Sequence, residues 1–147
     1  MEHSPLLPPG IHDVQEPELG NHFLKKFPTS TTRASLISGL QRYITLLKSY
    51  GVQFELWIDG SFTTDKVNPN DIDLVVFFNF EELDALPLET QLRLEGLVDR
   101  YTAKQNFGCD VFVSNKDDHD HRSYWRGWYG FDRNENPKGI ARIAVGV

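Results

Sequence analysis

Apolar residues recur at helical spacing through Leu36, Ile37, Leu40, Tyr43, Ile44 and Leu47, which is the stripe of an amphipathic helix. Ser30 or Thr31 is suited to cap its start and Gly51 follows its end, so the pattern predicts a helix over about 31–50. The period then changes. Residues 53–58 read as a strand, and the run Ile72 to Phe78 is dense in the β-branched and aromatic residues of a buried one. A short helix is expected over 79–86. A single longer one is expected over about 88–105, with Pro87 at its first turn and Leu92, Leu94, Leu97, Val98 and Tyr101 on its inner side. Gly108 releases the chain into a further strand at Cys109 to Val113. The stretch 132–139, rich in Asn and containing Pro137 and Gly139, reads as a turn before a last strand at 140–145.

Ahead of these elements, residues 1–28 carry Pro5, Pro8, Pro9, Pro17 and Pro28 without clear periodicity and read as an extended arm. Leu6, Leu7 and Ile11 give that arm a means of packing onto the body or a neighbour. The remaining 29–147 form one domain. Strand, strand, helix and strand behind an N-terminal helix predict an α/β fold, a small mixed β-sheet packed against helices as a sandwich.

The order of polar residues inside this pattern carries the chemistry. In Trp57 to Phe78 a Gly60-Ser61 pair stands ten residues ahead of Asp71 and Asp73. A short helix opening at Gly60-Ser61 would offer backbone N–H groups to a phosphate. On a strand Asp71 and Asp73 share a face, their β-carbons roughly 6.5 Å apart at about 3.3 Å rise per residue. That suits one divalent cation, or two. The turn signature Asn68-Pro69-Asn70 accounts for an acid at 71 as a turn residue. It does not account for Asp73, which lies between Ile72 and Leu74 where charge is disfavoured. A third acid, Asp110, sits in the Cys109 strand; beside the Asp71/Asp73 strand it would complete a cluster whose repulsion calls for a cation, with Mg²⁺ (or Mn²⁺) expected.

These residues resemble the nucleotidyltransferase superfamily that shares its catalytic core with DNA polymerase β. The shared pattern is the Gly60-Ser61 pair, the acid–apolar–acid–apolar run Asp71-Ile72-Asp73-Leu74, and the later lone acid Asp110. The small size is similar to that of minimal bacterial nucleotidyltransferases, some of which serve as antitoxins. The string Tyr124 to Ile143 also resembles a small bacterial family of unknown function with the same core. The chain departs from the superfamily pattern at Asp59, where an apolar residue is usual, and at Asp65, close to the expected triphosphate path. The resemblance implies a nucleotidyltransferase fold. It implies transfer of a nucleoside monophosphate from an NTP to an acceptor hydroxyl on a protein, a tRNA end or a small molecule, in a toxin–antitoxin or phage-defence setting. It also implies roles: Gly60, Ser61 and Lys66 at the triphosphate, Asp71 and Asp73 on metal, and Asp110 on a second metal or taking the acceptor's proton. The alternative is a catalytically inactive binding module of the same fold that masks a protein partner such as a toxin.

Charge narrows the partners. The 147 residues carry a net charge of −6, so broad attraction to long nucleic acid is not expected. From His121 onward, however, five bases stand against Asp132 and Glu135, leaving that segment at +3 and the rest at −9. Its aromatics Tyr124, Trp125, Trp128, Tyr129 and Phe131 either fill core beneath a small hairpin or stack a base, and Arg126 and Lys138 are candidate substrate or partner contacts. Asp117-Asp118-His119-Asp120-His121 reads as a polar loop, with Zn²⁺ or Ni²⁺ chelation as the other reading. Lone Cys109 permits no intramolecular disulfide and fits a reducing compartment. With no apolar run of membrane length and no signal-peptide layout, a cytoplasmic protein is expected.

Overall fold

Strand alternation sorts the sheet residues into two sets, each covered by different helices. The computed structural model describes residues 3–131 and 136–146. Its sheet contains β1 (Gly10–Asp13), β2 (Phe54–Asp59), β3 (Ile72–Phe78), β4 (Cys109–Asn115) and β5 (Gly139–Val145), in the order β1-β5-β2-β3-β4. The β1–β5 and β3–β4 pairs are parallel, and β5–β2 and β2–β3 are antiparallel. The architecture is therefore mixed α/β, as the order of elements predicts.

The first set, including Leu56, Ile58, Ile72, Leu74, Val76 and Val111, packs in one apolar cluster with Leu40, Ile44 and Leu47 of α2 (Arg33–Ser49), Phe23 of α1 (Leu19–Phe23) and Phe107 of α5 (Arg100–Phe107). At about 1.5–3 kcal/mol for each large apolar side chain removed from water, this face supplies most of the drive to fold. Gly39 of α2 lets the two helices meet, since a β-carbon there would overlap the Phe107 carbonyl. The second set, Trp57, Val75, Phe77 and Ile140, packs with Trp125 and Tyr129 of α6 (His119–Tyr129).

Three expectations change. The helix predicted over 88–105 is two helices, α4 (Leu88–Leu97) and α5, because Asp99 accepts from the Thr102 N–H at 3.0 Å and starts a new one. The resulting change of direction leaves Leu92 and Tyr101 exposed, while Leu94, Leu97 and Val98 still face inward. The short helix α3 (Phe80–Asp84) lies within its predicted range, capped by Asn79. Next, the segment read as a polar loop followed by aromatics under a hairpin is helix α6. The Asp118 carboxylate accepts from the His121 N–H at 3.0 Å as its cap. Arg122, Trp125 and Tyr129 then fall at helical spacing on the face toward the sheet.

The third change concerns residues before 28. Gly10–Asp13 extend the sheet as β1, and α1 enters the core. Nearer the start, Leu6 N–H donates to Thr63 at 2.9 Å, Asp65 N–H to Ser4 at 2.8 Å, and Ser4 N–H to the Asp65 carboxylate at 3.0 Å. Asp65, anomalous as a neighbour of a triphosphate, is thus an anchor for the N-terminal segment. Among the described residues no helix is long and apolar enough to cross a membrane.

Candidate metal centre

Register places the acids. Asp73 pairs with Asp59 across β2–β3 and with Asp110 across β3–β4. Directly opposed residues project from the same face, and Asp71, two residues before Asp73, returns to that face. One oxygen from each of Asp71, Asp73 and Asp110 lies within 4.8 Å of the others. The three acids chosen from spacing alone are brought together at one end of the α6 face, with Asp59 as a fourth member of the row.

Among the described residues three cations answer these four carboxylates. Arg100 forks onto Asp110, Nε to Oδ1 at 2.5 Å and the terminal NH2 nitrogen to Oδ2 at 3.0 Å. Lys104, one turn along α5, reaches Asp71 Oδ2 at 3.3 Å. Lys138, just before β5, pairs with Asp59 Oδ2 at 3.0 Å. The Arg100 hydrogen bonds outweigh the opposing effect of burial and hold the Asp110 carboxyl below its usual range. Asp73 is pushed the other way, to about 6, by burial first and then by the charges of Asp71 and Asp110. Asp59 rises to about 7 because burial outweighs Lys138 and the Thr63 hydroxyl, which donates to it at 3.1 Å.

The Gly60-Ser61 bend abuts this row. Gly60 has a φ of +83°, and a β-carbon on it would overlap the Asp73 carboxylate, so glycine is required both by conformation and by space. The helix that follows, Gly60–Thr63, is one 3₁₀ turn. Its macrodipole is correspondingly slight. The loop beyond is shaped by Arg33. This fully buried side chain donates to the carbonyls of Phe62 (2.8 Å), Thr64 (2.7 Å) and Lys66 (2.7 Å), and to Phe23 (2.9 Å), with its guanidinium 3.8 Å above the Phe27 ring. No motif announces such a residue, because its partners are carbonyl oxygens that every sequence has.

One polar atom beside the row is unaccounted for. Tyr129 is 4 % exposed, and its hydroxyl has no hydrogen-bond partner among the described residues. Burial raises its pKa first, and the charges of Asp73, Asp59 and Asp110 add to this, so the phenol lies within electrostatic reach of the acids. An orphaned donor next to an all-oxygen carboxylate set fits a site for a hard cation and the oxygen ligands around it.

A family model matches residues 1–144. The chain belongs to DUF6932, a family of unknown function. Neither the curated proteins nor the solved structures contain a match to this chain. The DUF6932 match takes in the N-terminal strand, the acid row and α6 alike, so all three are parts of one family unit.

The other residues singled out in this DUF6932 chain fare differently. Lys138, a candidate substrate or partner contact, is turned inward onto Asp59. That pair also explains the acid in an apolar position before Gly60. Arg126 is exposed on α6, and Lys66 uses its carbonyl to receive Arg33. In the 117–121 run, His121 Nδ1 hydrogen-bonds Ser114 Oγ at 3.0 Å and Asp118 caps α6, so the run builds a helix start. Asp132, Arg133 and Glu135 of the basic tail lie outside the described residues.

Proposed function

We propose that this DUF6932 protein is a Mg²⁺-dependent nucleotidyltransferase, Mn²⁺ serving in its place, which moves a nucleoside monophosphate from an NTP to an acceptor hydroxyl. The observation that carries the reading is the convergence of Asp71, Asp73 and Asp110 oxygens within 4.8 Å of one another, next to a bend that only glycine can make. Asp71, Asp73 and Asp110 would hold the ion. Bound there, Mg²⁺ supplies charge neutralisation for a polyphosphate. The chain's own part is positional: Gly60 and Ser61 offer backbone to the triphosphate, and Arg33 fixes the path of the loop that follows. Asp110 suits a ligand better than a base, since the Arg100 fork keeps it below the range in which a carboxylate takes a proton readily. The hydroxyl oxygen of the acceptor bonds the α-phosphorus as pyrophosphate leaves, and its proton is given up to water; protein, tRNA end and small molecule are the acceptor classes to compare.

Incubation with Mg²⁺ and labelled NTPs, alone, in lysate and with the product of the adjacent gene, is expected to release pyrophosphate and label one acceptor. The paired substitutions Asp71→Asn and Asp73→Asn should lower that release by at least about a hundredfold. Absence of pyrophosphate release with every NTP sinks the proposal. The second reading, an inactive module that masks a toxin-like partner, draws on the same acids being matched by protein cations at Arg100 and Lys104. A masking module keeps its biological effect in the doubly substituted protein, whereas an enzyme loses it.

A further inference from the structure

The cations of the acid row are not equivalent. Lys138 is 13 % exposed against an Asp59 that is 2 % exposed, and leaving that pair would strand a buried charge. Arg100 and Lys104 are 61 % and 58 % exposed, so water can take over their hydration when they let go. They stand one turn apart on α5 and therefore on one face. Their helix is fixed beneath them by the close Gly39–Phe107 contact and by the Asp99 cap, which leaves side-chain rotation as the available motion. Arg100 also has a second resting surface, the Phe112 ring 4.4 Å from its guanidinium carbon.

The atoms these two residues occupy are those a cation needs. Both Asp110 oxygens are taken by Arg100, and Asp71 Oδ2 by Lys104. Together the two side chains bring the same charge as one divalent ion. Exchanging them for that ion keeps the charge balance of Asp71, Asp73 and Asp110 and sets free two cationic groups at the rim of the site. Tyr129, buried on the same face of the sheet with its hydroxyl unpartnered among the described residues, is the independent sign that the row is completed by a ligand.

We infer that Arg100 and Lys104 are exchangeable counter-ions, which occupy Asp110 and Asp71 in the metal-free protein and, once displaced by a divalent cation, bind the polyphosphate of the nucleoside triphosphate. The inference rests on the proposed metal centre and adds to it a coupling: the ion recruits the nucleotide partly by releasing the residues that grip it. Metal and nucleotide then assist each other's binding, as thermodynamic linkage requires.

The test measures two affinities of opposite sign in Arg100→Gln/Lys104→Gln protein: Mn²⁺ alone, by the electron paramagnetic resonance of free Mn²⁺, and α,β-methylene nucleoside triphosphates in saturating Mn²⁺. With its competitors removed, the variant should bind Mn²⁺ roughly three- to tenfold more tightly than the parent. The analogue should bind at least about tenfold more weakly. Lys48→Gln/Arg93→Gln carries the same charge change at exposed pairs on other helices, and should move neither affinity by as much as about twofold. Unchanged or weaker Mn²⁺ binding in the first variant overturns the exchange, as does equal analogue affinity or a control that shifts equally. Failure of the parent protein to bind Mn²⁺ removes the metal centre and the exchange together; Mn²⁺ binding by the parent with a failed exchange removes the exchange alone.

Discussion

Two charged clusters lie on the α6 face of the sheet, four residues apart along β2, and they are built on opposite plans. At Glu55 a single buried carboxylate receives Arg122 at 3.1 and 3.3 Å, Arg142 at 3.1 Å and the Trp57 indole N–H at 2.7 Å. Acceptors and donors are matched, and the cluster ties β2 to β5 and to α6. At Asp59, Asp71, Asp73 and Asp110 four carboxylates meet three cations among the described residues, and there the Asp73 carboxylate has no side-chain hydrogen-bond partner. The first plan closes a structure. The second leaves a surplus of negative charge in one place, which is costly for folding and useful only to something positive that arrives later.

Removing Glu55 should therefore produce the largest loss of stability. Glu55→Ala removes the acceptor that Arg122 and Arg142 share beside an apolar layer and leaves them the Lys116 carbonyl and Asp13, and a cost of about 3 kcal/mol is expected, read from chemical denaturation of the metal-free protein. The same cluster gives an acid dependence. Burial pushes the Glu55 carboxyl up, but hydrogen bonds from Arg142, Arg122 and Trp57 outweigh it and hold it below the usual range. A carboxylate with a depressed folded pKa stabilises above its unfolded pKa, and that contribution is lost as pH falls through the folded value. Parent protein should lose this increment on acidification below the ordinary glutamate range, and Glu55→Gln should not.

Asp73 should behave with the opposite sign. Its carboxyl titrates near 6, raised by burial and then by Asp71 and Asp110, so at pH 7 its ionisation opposes folding. Asp73→Asn keeps the shape and removes the charge, and in chelator a gain of about 1–3 kcal/mol is expected at pH 7. The gain is full above about pH 6 and shrinks as pH falls toward the ordinary aspartate value of 3.8, below which the parent's own Asp73 is protonated in both states. A loss of stability as large as that at Glu55 would show that the row is a structural cluster after all and would erase the contrast.

The contrast itself was only half legible in the sequence. Asp71, Asp73 and Asp110 stood out because charge inside buried strands is rare and their spacing places them on one face. Asp59 did not join them, since its place opposite Asp73 depends on the β2–β3 register, which no short-range signal sets. Arg100 and Lys104 were hidden inside a helix predicted as continuous; only the break at Asp99 turns them toward β4. The Glu55 partners were missed for a similar reason. Arg122 follows directly on the 117–121 run that reads as loop, although its spacing with Trp125 and Tyr129 is helical, and Arg142 arrives from a strand far along the chain. Local pattern identifies which residues are chemically odd, and tertiary pairing decides what balances them.

The smallest effect tests where the row meets solvent. Lys104 is largely exposed and holds Asp71 by one contact at 3.3 Å, so Lys104→Gln should lower metal-free stability by under about 1 kcal/mol. That loss should shrink further as salt is raised toward 1 M, where the screening length falls to about 3 Å, because both partners are reached by mobile ions. The Glu55→Ala loss should shrink less at the same ionic strength, since the Glu55 side chain is 7 % exposed and its two arginines 27 %, against 58 % for Lys104. Parallel denaturation curves at low and high salt thus separate the clusters without any ligand. A salt-insensitive Lys104 variant would mean that the rim of the acid row is as closed as the Glu55 cluster, and the idea of side chains poised to leave it would fall.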